Sequence, residues 1–312
     1  MVPILGTIAS SFDNTVAARA LFAGGEISST QYNVIQYIEI ATTGNATDFG
    51  DLTVARANLM GNVSSATRAL FAGGNAGSYL NTIDYVSMPS TGNAIDFGDL
   101  STTNRTGVGF SSSTIGLFCG GYNGSSLSTT MEYVTIANTG NVTNFGNLGS
   151  APGYAGAGFS SSTRGISGGG YNGSSHVANI DYVTIDTTGN ATNFGNLTQN
   201  RSSLMGGISS GTRGLFSGGN TGGTYFNIID YVEIATTGNA TDFGDLLSNI
   251  ASASGTSSLT RGVVAGGFPT SGVSQDVIQY VTIASTGNSV DFGDLTSAYA
   301  GMAGNSNSHG GL

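Results

Sequence analysis

Paired carboxylates recur along the chain at a spacing that could hold a divalent cation. The pairs are Asp48/Asp51, Asp96/Asp99, Asp242/Asp245 and Asp291/Asp294, each enclosing a Phe-Gly dipeptide. Calcium takes several hard oxygen ligands, so these pairs are candidates for a metal site. Two further copies of the motif have asparagine at both places, as Asn144/Asn147 and Asn193/Asn196. Because asparagine keeps a short acceptor but loses the charge, the pattern favours a role in turns, and we predict no metal site.

The basic residues offer a second candidate chemistry, the binding of an anion. All eight are arginines, and five of them precede a short apolar run: Arg19, Arg68, Arg164, Arg213 and Arg261. The other three follow the carboxylate motif: Arg56, Arg105 and Arg201. Recurrence at equivalent places predicts that these arginines join strands or loops through their several donors. The alternative is a ring of arginines at one mouth of the fold, but Ile115 occupies one place in such a ring.

Residues suited to catalysis are few. His176 and His309 are the only histidines, and Cys119 is the only cysteine. One cysteine cannot form an internal disulfide or a thiolate metal cluster, and the two histidines do not form the His-Glu-x-x-His pattern of zinc enzymes. We expect Cys119 to be buried in a strand and both histidines to lie outside the strand cores. The sequence therefore predicts no catalytic residue and no cofactor.

Aromatic residues stand in segments that differ from one copy of the sequence pattern to the next. Each such segment is rich in Gly, Ser and Asn, and the aromatic residues are Tyr32, Tyr79, Tyr122, Tyr171, Tyr225 and Phe268. Variable loops on a rigid scaffold are common binding sites, and tyrosine among small polar residues is typical of adaptable recognition surfaces. These six residues are the predicted binding residues. The alternative is that they pack down on their own loops.

A repeat of about 49 residues places all of these side chains. Its most regular part is a Thr-Gly-Asn triplet, with the glycine at Gly44, Gly92, Gly140, Gly189, Gly238 and Gly287. Each copy holds four strand-like runs separated by turn residues, which in the second copy are 59–64, 68–74, 82–88 and 94–100. No segment has a helical apolar period over ten or more residues. Four strands repeated six times predict an all-β, six-bladed β-propeller with four-stranded antiparallel blades.

Two aromatic positions recur in every unit and are expected to be structural. A tyrosine follows a Gly-Gly pair at Tyr37, Tyr85, Tyr133, Tyr182, Tyr231 and Tyr280. A phenylalanine follows in the fourth run, at Phe49, Phe97, Phe145, Phe194, Phe243 and Phe292, and is expected to lie between blades. This order over nearly the whole chain resembles the kelch repeat, which implies a propeller. Kelch units usually carry tryptophan where this chain has phenylalanine, so the partners of kelch proteins are not implied.

The ends of the chain indicate how the ring closes. We expect one domain, 1–312, built of units 16–52, 53–100, 101–148, 149–197, 198–246 and 247–295. Residues 298–306 are similar to the small-residue runs that we place innermost in the blades. They are therefore predicted to supply the inner strand of the first blade, which removes a free sheet edge. Residues 4–10 compete for that place, and otherwise 1–12 form an arm outside the ring.

Composition excludes some classes of partner. Charged residues make up 8% of the chain, and the formal net charge is −10. Binding to a phosphate backbone depends on Lys and Arg, so nucleic acid is not an expected partner, and anionic membrane surfaces are disfavoured for the same reason. No apolar run approaches the roughly 20 residues of a membrane helix, so no membrane insertion is expected.

Three functional hypotheses remain open. The first is a non-enzymatic virion or extracellular surface propeller, such as a phage fibre, decoration or filament subunit, that binds protein partners, glycans or, as a homo-oligomer, further copies of itself. It draws on the near-identical repeats, the missing lysine and the lack of a visible signal peptide. The second is an intracellular interaction scaffold of the kelch type. The third is a polysaccharide-active enzyme, which needs carboxylates clustered about 5–10 Å apart, drawn from Glu26, Asp186 and Asp276.

Overall fold

The protein is a six-bladed β-propeller. The structure is a computed structural model, and it describes residues 17–149, 153–270 and 272–312. The described residues contain thirty strands and no helix, and six sheets of four antiparallel strands form the blades. The predicted fold class is confirmed. The fold class could be predicted because the sequence repeats, and each unit supplies its own strand and turn signals.

The strands follow one another through the six blades. Blades 1 and 2 contain β1 (Arg19–Ala23), β2 (Glu26–Ile27), β3 (Thr30–Gln31), β4 (Val34–Glu39), β5 (Thr47–Asp51), β6 (Met60–Ser64), β7 (Arg68–Ala72), β8 (Thr82–Ser87) and β9 (Ile95–Asp99). Blades 3 and 4 contain β10 (Val108–Ser111), β11 (Ile115–Cys119), β12 (Thr130–Thr135), β13 (Thr143–Asn147), β14 (Ala157–Ser160), β15 (Arg164–Gly168), β16 (Asn179–Thr184) and β17 (Thr192–Asn196).

The remaining strands complete blades 5 and 6 and return to blade 1. They are β18 (Met205–Ser209), β19 (Arg213–Ser217), β20 (Asn220–Thr221), β21 (Thr224–Tyr225), β22 (Ile228–Glu233), β23 (Thr241–Asp245), β24 (Ile250–Ala251), β25 (Ser254–Ser257), β26 (Arg261–Ala265), β27 (Phe268–Pro269), β28 (Val277–Thr282), β29 (Val290–Asp294) and β30 (Ala303–Ser306). From the channel outward, the blades are β30-β1-β4-β5, β6-β7-β8-β9, β10-β11-β12-β13, β14-β15-β16-β17, β18-β19-β22-β23 and β25-β26-β28-β29.

The last strand of the chain closes the ring. β30 pairs antiparallel with β1, with Ala20 opposite Ser306 and Ala23 opposite Ala303. The predicted closure by the C-terminal strand is therefore confirmed. The competing segment 4–10 and the arm 1–12 lie outside the described residues.

Apolar side chains fill the spaces between blades rather than the interior of any one blade. Phe49 and Leu21 of blade 1 share a buried cluster with Val86 and Met88 of blade 2. In every blade the recurring tyrosine meets the recurring phenylalanine edge to face, with ring centroids 5.8–6.1 Å apart. Such pairs contribute about 0.5–1.5 kcal/mol each beyond the area that they bury. The phenylalanines thus lie between blades, as the sequence predicts.

Hydrogen bonds join the outer strand of each blade to the Thr-Gly-Asn turn of the next. The Gly92 amide donates to Phe49 O (2.8 Å), and the Asp51 amide donates to the Asn93 side-chain oxygen (3.1 Å). The same side-chain bond recurs at the other five junctions, through Asn45, Asn141, Asn190, Asn239 and Asn288. Gly50 has a φ of +149°, and a Cβ there would collide with Gly92 O. The acceptor in this contact is therefore the triplet asparagine, whereas the paired residues of the motif contribute main-chain groups.

Five arginines clamp neighbouring blades together. The Arg68 guanidinium lies over the Tyr85 ring, 4.6 Å from its centroid, and donates to Ile136 O (3.0 Å) and Ala137 O (2.8 Å) of the next blade. The equivalent clamps are made by Arg19, Arg164, Arg213 and Arg261. Each clamp combines a cation–π contact with main-chain acceptors. These five arginines therefore join neighbouring blades, in agreement with the predicted role in joining strands or loops.

The three arginines that follow the carboxylate motif, Arg56, Arg105 and Arg201, do not share one structural role. Arg56 and Arg201 are fully buried on the segments that link one blade to the next, and they pair with Asp84 (3.1 Å) and Asp230 (2.7 Å). Arg105 is not their equivalent, because Asn104 makes the matching main-chain bond to the preceding loop. The prediction that all three arginines occupy one repeat position is therefore wrong by one residue, and Arg105 is free for a different role.

Candidate functional site

The loops between the second and third strands gather at one end of the ring. We call this end the loop face; it carries the loops 24–33, 73–81, 120–129, 169–178, 218–227 and, of the last loop, 266–270 and 272–276, together with the linkers that join each blade to the next. Loops and linkers share this end because successive strands in a blade are antiparallel. Short main-chain pairings tie them together, as between Arg105 and Tyr122 and between Ala57 and Asn75. We call the opposite end, with the Thr-Gly-Asn turns, the turn face.

Three tyrosines and one arginine form a contiguous group on the loop face. The Tyr79 and Tyr122 rings meet at 5.8 Å, and Tyr122 and Tyr154 meet at 6.0 Å. The Arg105 guanidinium lies over Tyr79 (4.9 Å) and Tyr122 (5.6 Å). All four residues are half-buried. This group, which we call the tyrosine cluster, presents amphipathic rings from blades 2 and 3 and from the linker into blade 4.

Local turn chemistry holds the tyrosine cluster in place. The Asn123 side-chain oxygen accepts hydrogen bonds from the amides of Ser125 and Ser126, both 2.9 Å away, which fixes the loop after Tyr122. The Tyr122 hydroxyl donates to Gly124 O within the same loop (2.9 Å). Such side-chain turns are what asparagine favours. The rings are therefore presented by an ordered loop.

The other predicted binding residues lie apart from the cluster. Tyr171 contacts His176 with ring centroids 5.3 Å apart, and Tyr32 meets the buried Tyr299 at 5.4 Å. Tyr225 lies in β21 and Phe268 in β27, each half-buried. Among the ring contacts of the described residues, Tyr79 and Tyr122 are the predicted pair that meets. The six residues thus share one face without forming one site.

His176 joins two loops of this face. Its Nε2 accepts from the Gly222 amide (3.1 Å), so its Nδ1 carries the proton toward Ser202 Oγ (2.9 Å). The sequence placed His176 in the variable loop after Tyr171, but it did not point to Arg105 or Tyr154 as loop-face residues. Arg105 and Tyr154 lie on linkers between blades. Their place could have been inferred from the antiparallel order of the strands, which puts the linkers at the same end as the variable loops.

The central channel opens on the loop face. A cavity of about 90 Å³ lies at this mouth. Its rim is a ring of six residues with left-handed backbone, φ 53–66°, one per blade: Asn58, Thr106, Ala155, Ser203, Ser252 and Gly301. Main-chain bonds run around the rim, for example from Asn58 N to Gly301 O (2.7 Å) and from Thr106 N to Asn58 O (2.8 Å). Asn62 reaches across deeper in the channel, where its amide nitrogen donates to Gly255 O (3.0 Å) and Gly304 O (2.9 Å).

The C-terminal tail closes the other end of the channel. A serine from each inner strand lines that end, and Ser111 Oγ donates to Ser64 O (2.8 Å) while Ser160 Oγ donates to Ser111 O (2.7 Å). His309 is 6% exposed and lies against this ring, 3.4 Å from Ser64 O. The Gly311 amide donates to His309 Nδ1, so Nε2 carries the proton. Burial lowers the pKa of His309 to about 4. His309 is thus a buried plug, which the sequence did not predict.

The described residues offer little for catalysis or metal binding. They contain no group of three His, Cys, Asp or Glu residues that could hold a metal ion. Cys119 is buried, and burial raises the pKa of its thiol. Asp186 lies on the turn face, whereas Glu26 and Asp276 lie on the loop face, so the three acids do not form one cluster. The described residues also contain no helix long and apolar enough to cross a membrane.

Two segments match the Gly-x-Ser-x-Gly spacing of serine hydrolases, 165–169 and 207–211. Their serines, Ser167 and Ser209, are both buried and lie within strands. Ser209 Oγ donates to Ser160 O (2.8 Å) as part of the serine ring. A nucleophile elbow exposes its serine at a strand-to-helix turn, so this spacing carries no hydrolase assignment here.

A comparison with models of known protein families finds no match, and a comparison with curated proteins finds no significant relative. The site must therefore be interpreted from its own geometry.

Proposed function

We propose that this protein is a non-enzymatic binding propeller that recognises glycans through the tyrosine cluster of its loop face. One observation carries the proposal, namely the three adjoining half-buried rings of Tyr79, Tyr122 and Tyr154 with Arg105 over two of them. Sugar rings have apolar C–H faces that pack on aromatic rings and hydroxyls that need hydrogen-bond partners. Tyrosine offers both an apolar body and a polar tip at low entropic cost.

The setting that we propose is an exposed assembly, either a virion or an extracellular filament, in which the propeller is a fibre, decoration or filament subunit. The near-identical repeats and the low charged fraction of 8% suit a subunit displayed in many copies. The absence of lysine leaves few sites for trypsin-like proteases. The kelch-like order of the repeats fits a scaffold of this kind, which presents loops on a rigid ring.

The glycan proposal is tested by screening the purified protein on a glycan array and titrating the best ligand by calorimetry. Tyr122→Ala should weaken binding at least about tenfold, because a buried aromatic anchor at the centre of a binding surface is the usual hot spot. Tyr122→Phe, which keeps the ring, should bind nearly as well. Tyr225→Ala is the matched control, since Tyr225 lies on the same face outside the cluster. Unchanged binding by Tyr122→Ala would remove the site assignment.

Two further outcomes bear on the class of ligand and on the setting. If no glycan on the array binds, and a protein partner binds the wild type but not Tyr122→Ala, then the ligand of the cluster is a protein rather than a glycan. Size-exclusion chromatography with light scattering addresses the setting. A defined assembly larger than the 31.3 kDa chain supports a particle subunit, whereas a monomer at every concentration favours an intracellular scaffold.

A further inference from the structure

Five of the six blade junctions on the turn face hold an arginine in the same way. The guanidinium lies 4.3–4.8 Å from the centroid of the recurring tyrosine of its own blade. It donates to the carbonyl of the residue that follows the third strand of the next blade, as Arg164 does to Ile234 O at 2.8 Å. Where a second acceptor is used, it is the following carbonyl, as with Arg261 and Ala41 O (3.0 Å).

The junction between blades 3 and 4 lacks this arginine. Ile115 pairs with Thr135 as Arg68 pairs with Ser87, so Ile115 occupies the arginine place in the register. The tyrosine is retained as Tyr133, and it packs edge to face on Phe145 at 6.1 Å. Among the described cation–π contacts, none covers the Tyr133 ring. The acceptor place is retained too, because the Ile185 amide bonds to Thr163 O as Ile234 N bonds to Thr212 O.

A groove of about 370 Å³ lies where the missing guanidinium would be. Ile115 and Tyr133 of blade 3 line it on one side, and Ile185 and Asp186 of blade 4 line it on the other. Asp186 is exposed, and Tyr133 is half-buried. The groove thus holds the aromatic face and the carbonyl acceptor that the other five junctions use.

This junction alone has an acid at the second residue after the third strand, the place of Asp186. The residues at the place of Asp186 in the other blades are uncharged: Ala41, Pro89, Ala137, Ala235 and Ala284. The junction without an internal cation is therefore the one that adds a carboxylate at the acceptor. A carboxylate facing an aromatic ring and a carbonyl complements a cation.

We propose that the groove between blades 3 and 4 binds the guanidinium of an arginine side chain from another protein. The guanidinium stacks on Tyr133, donates to Ile185 O and pairs with the Asp186 carboxylate. Guanidinium rather than ammonium fits because it is planar, stacks on aromatic rings and presents several donors at once. The stacking on tyrosine and the bond to the carbonyl are present five times elsewhere in this ring, made by the chain's own arginines.

The arginine must come from a different protein, because this chain has none to spare. Its eight arginines all have partners: five make the turn-face clamps, Arg56 and Arg201 are buried ion pairs, and Arg105 lies in the tyrosine cluster. A second copy of the chain therefore has no free arginine to insert. The site lies on the turn face, so it stands or falls independently of the glycan proposal for the loop face.

The test uses a blocked peptide, acetyl-Gly-Arg-Gly-amide, titrated into the intact protein while the Ile115 methyl and Tyr133 ring signals are followed by NMR. Saturable shifts are expected at these two residues. Asp186→Ala, which restores the residue found at other junctions, should weaken binding at least about fivefold. The citrulline peptide, which has the same shape without charge, should not bind. A lysine peptide should bind more weakly than the arginine peptide.

Filling the groove from within is the second test. Ile115→Arg should complete the sixth clamp, abolish peptide binding and raise the midpoint of thermal unfolding. Ala235→Asp places an acid at a junction that Arg164 already fills, so it should create no second site. Absent shifts at Ile115 and Tyr133, or full binding by Ile115→Arg, would overturn the proposal. If free arginine binds more tightly than the blocked peptide, the ligand of the groove is the free amino acid rather than an arginine of another protein.

Discussion

Arg201 and Asp230 form an ion pair of 2.7 Å in which neither side chain is exposed to solvent. Arg201 comes from the linker into blade 5, and Asp230 lies in the third strand of that blade. Asp230 also accepts from the Thr198 amide (3.1 Å) and hydroxyl (2.7 Å). The pair therefore fixes the path of the linker against its blade, and Arg56 with Asp84 does the same in blade 2.

We expect Arg201→Met to destabilise the protein by about 3–5 kcal/mol, because it leaves the Asp230 carboxylate buried without its counter-charge. Urea unfolding followed by circular dichroism measures the change. Glu39→Ala is the matched control, since it breaks the partly exposed pair with Arg19, 2.9 Å apart. Exposed pairs contribute about 0–1 kcal/mol. Equal effects of the two substitutions would contradict the role given to burial.

The buried His309 predicts a pH-dependent stability. Its pKa falls from 6.5 to about 4 on folding, because burial disfavours the charged form. A lowered folded pKa means that the stabilisation is complete above pH 6.5 and is lost as the pH falls from 6.5 toward 4, where the unfolded chain binds the additional proton. The loss over this interval is about 3 kcal/mol.

The experiment for His309 compares the urea midpoints of wild type and His309→Gln between pH 7.5 and pH 4. The difference between the two proteins isolates this histidine from the carboxylates, which titrate in both. The wild type should lose more stability than the variant as the pH falls. Parallel curves over the whole range would show that His309 titrates alike in the folded and unfolded chains.

The glycine of the outer strand is required by close approach as well as by backbone conformation. Gly98 and Gly140 have similar φ values, +147° and +154°, but a Cβ on Gly98 meets Gly140 O whereas one on Gly140 meets nothing within 4 Å. Gly98→Ala should therefore cost about 1–3 kcal/mol more than Gly140→Ala. Chemical unfolding of the two variants measures this difference, and equal costs would mean that backbone strain alone sets the requirement.

The closing strand should be essential for the folded ring. Deletion of 298–312 removes β30 and exposes the inner edge of β1, so we expect loss of cooperative unfolding or association through the free edge. Deletion of 308–312 removes His309 and the channel plug but keeps β30, and it should leave a folded ring with the oligomeric state of the full chain. Calorimetry and light scattering distinguish the two. Cooperative unfolding with an unchanged oligomeric state after the longer deletion would mean that another segment can replace β30.

The sequence predicted the propeller because each unit repeats the same local signals, and six copies reinforce one interpretation. It could not predict that Asn93 bonds to Asp51, since that contact depends on how blades meet in space. The distinct role of Arg105 was hidden by a shift of one residue against Arg56. The burial of His309 depends on a ring that exists only after folding, so the local sequence around it gives no sign of it.

Only some residues of the candidate site could be predicted from the sequence, because others come together only in the folded ring. Tyr79 and Tyr122 were visible as aromatic residues in variable loops, and the structure brings them together. Tyr154 was not, because it lies on a linker, and only the antiparallel order of the strands places linkers beside those loops. The groove beside Ile115 is visible only as a departure from symmetry, which requires knowing what the other five arginines do.

The pairing of β30 with β1 also sets an order in time. Each of blades 2 to 6 is encoded by one continuous stretch and can be completed as that stretch leaves the ribosome. Blade 1 receives its inner strand, β30, only after the strands of blades 2 to 6 have been made. The step that turns an open arc of blades into a ring therefore follows the synthesis of blades 2 to 6, and a product truncated before β30 lacks the strand that closes the ring.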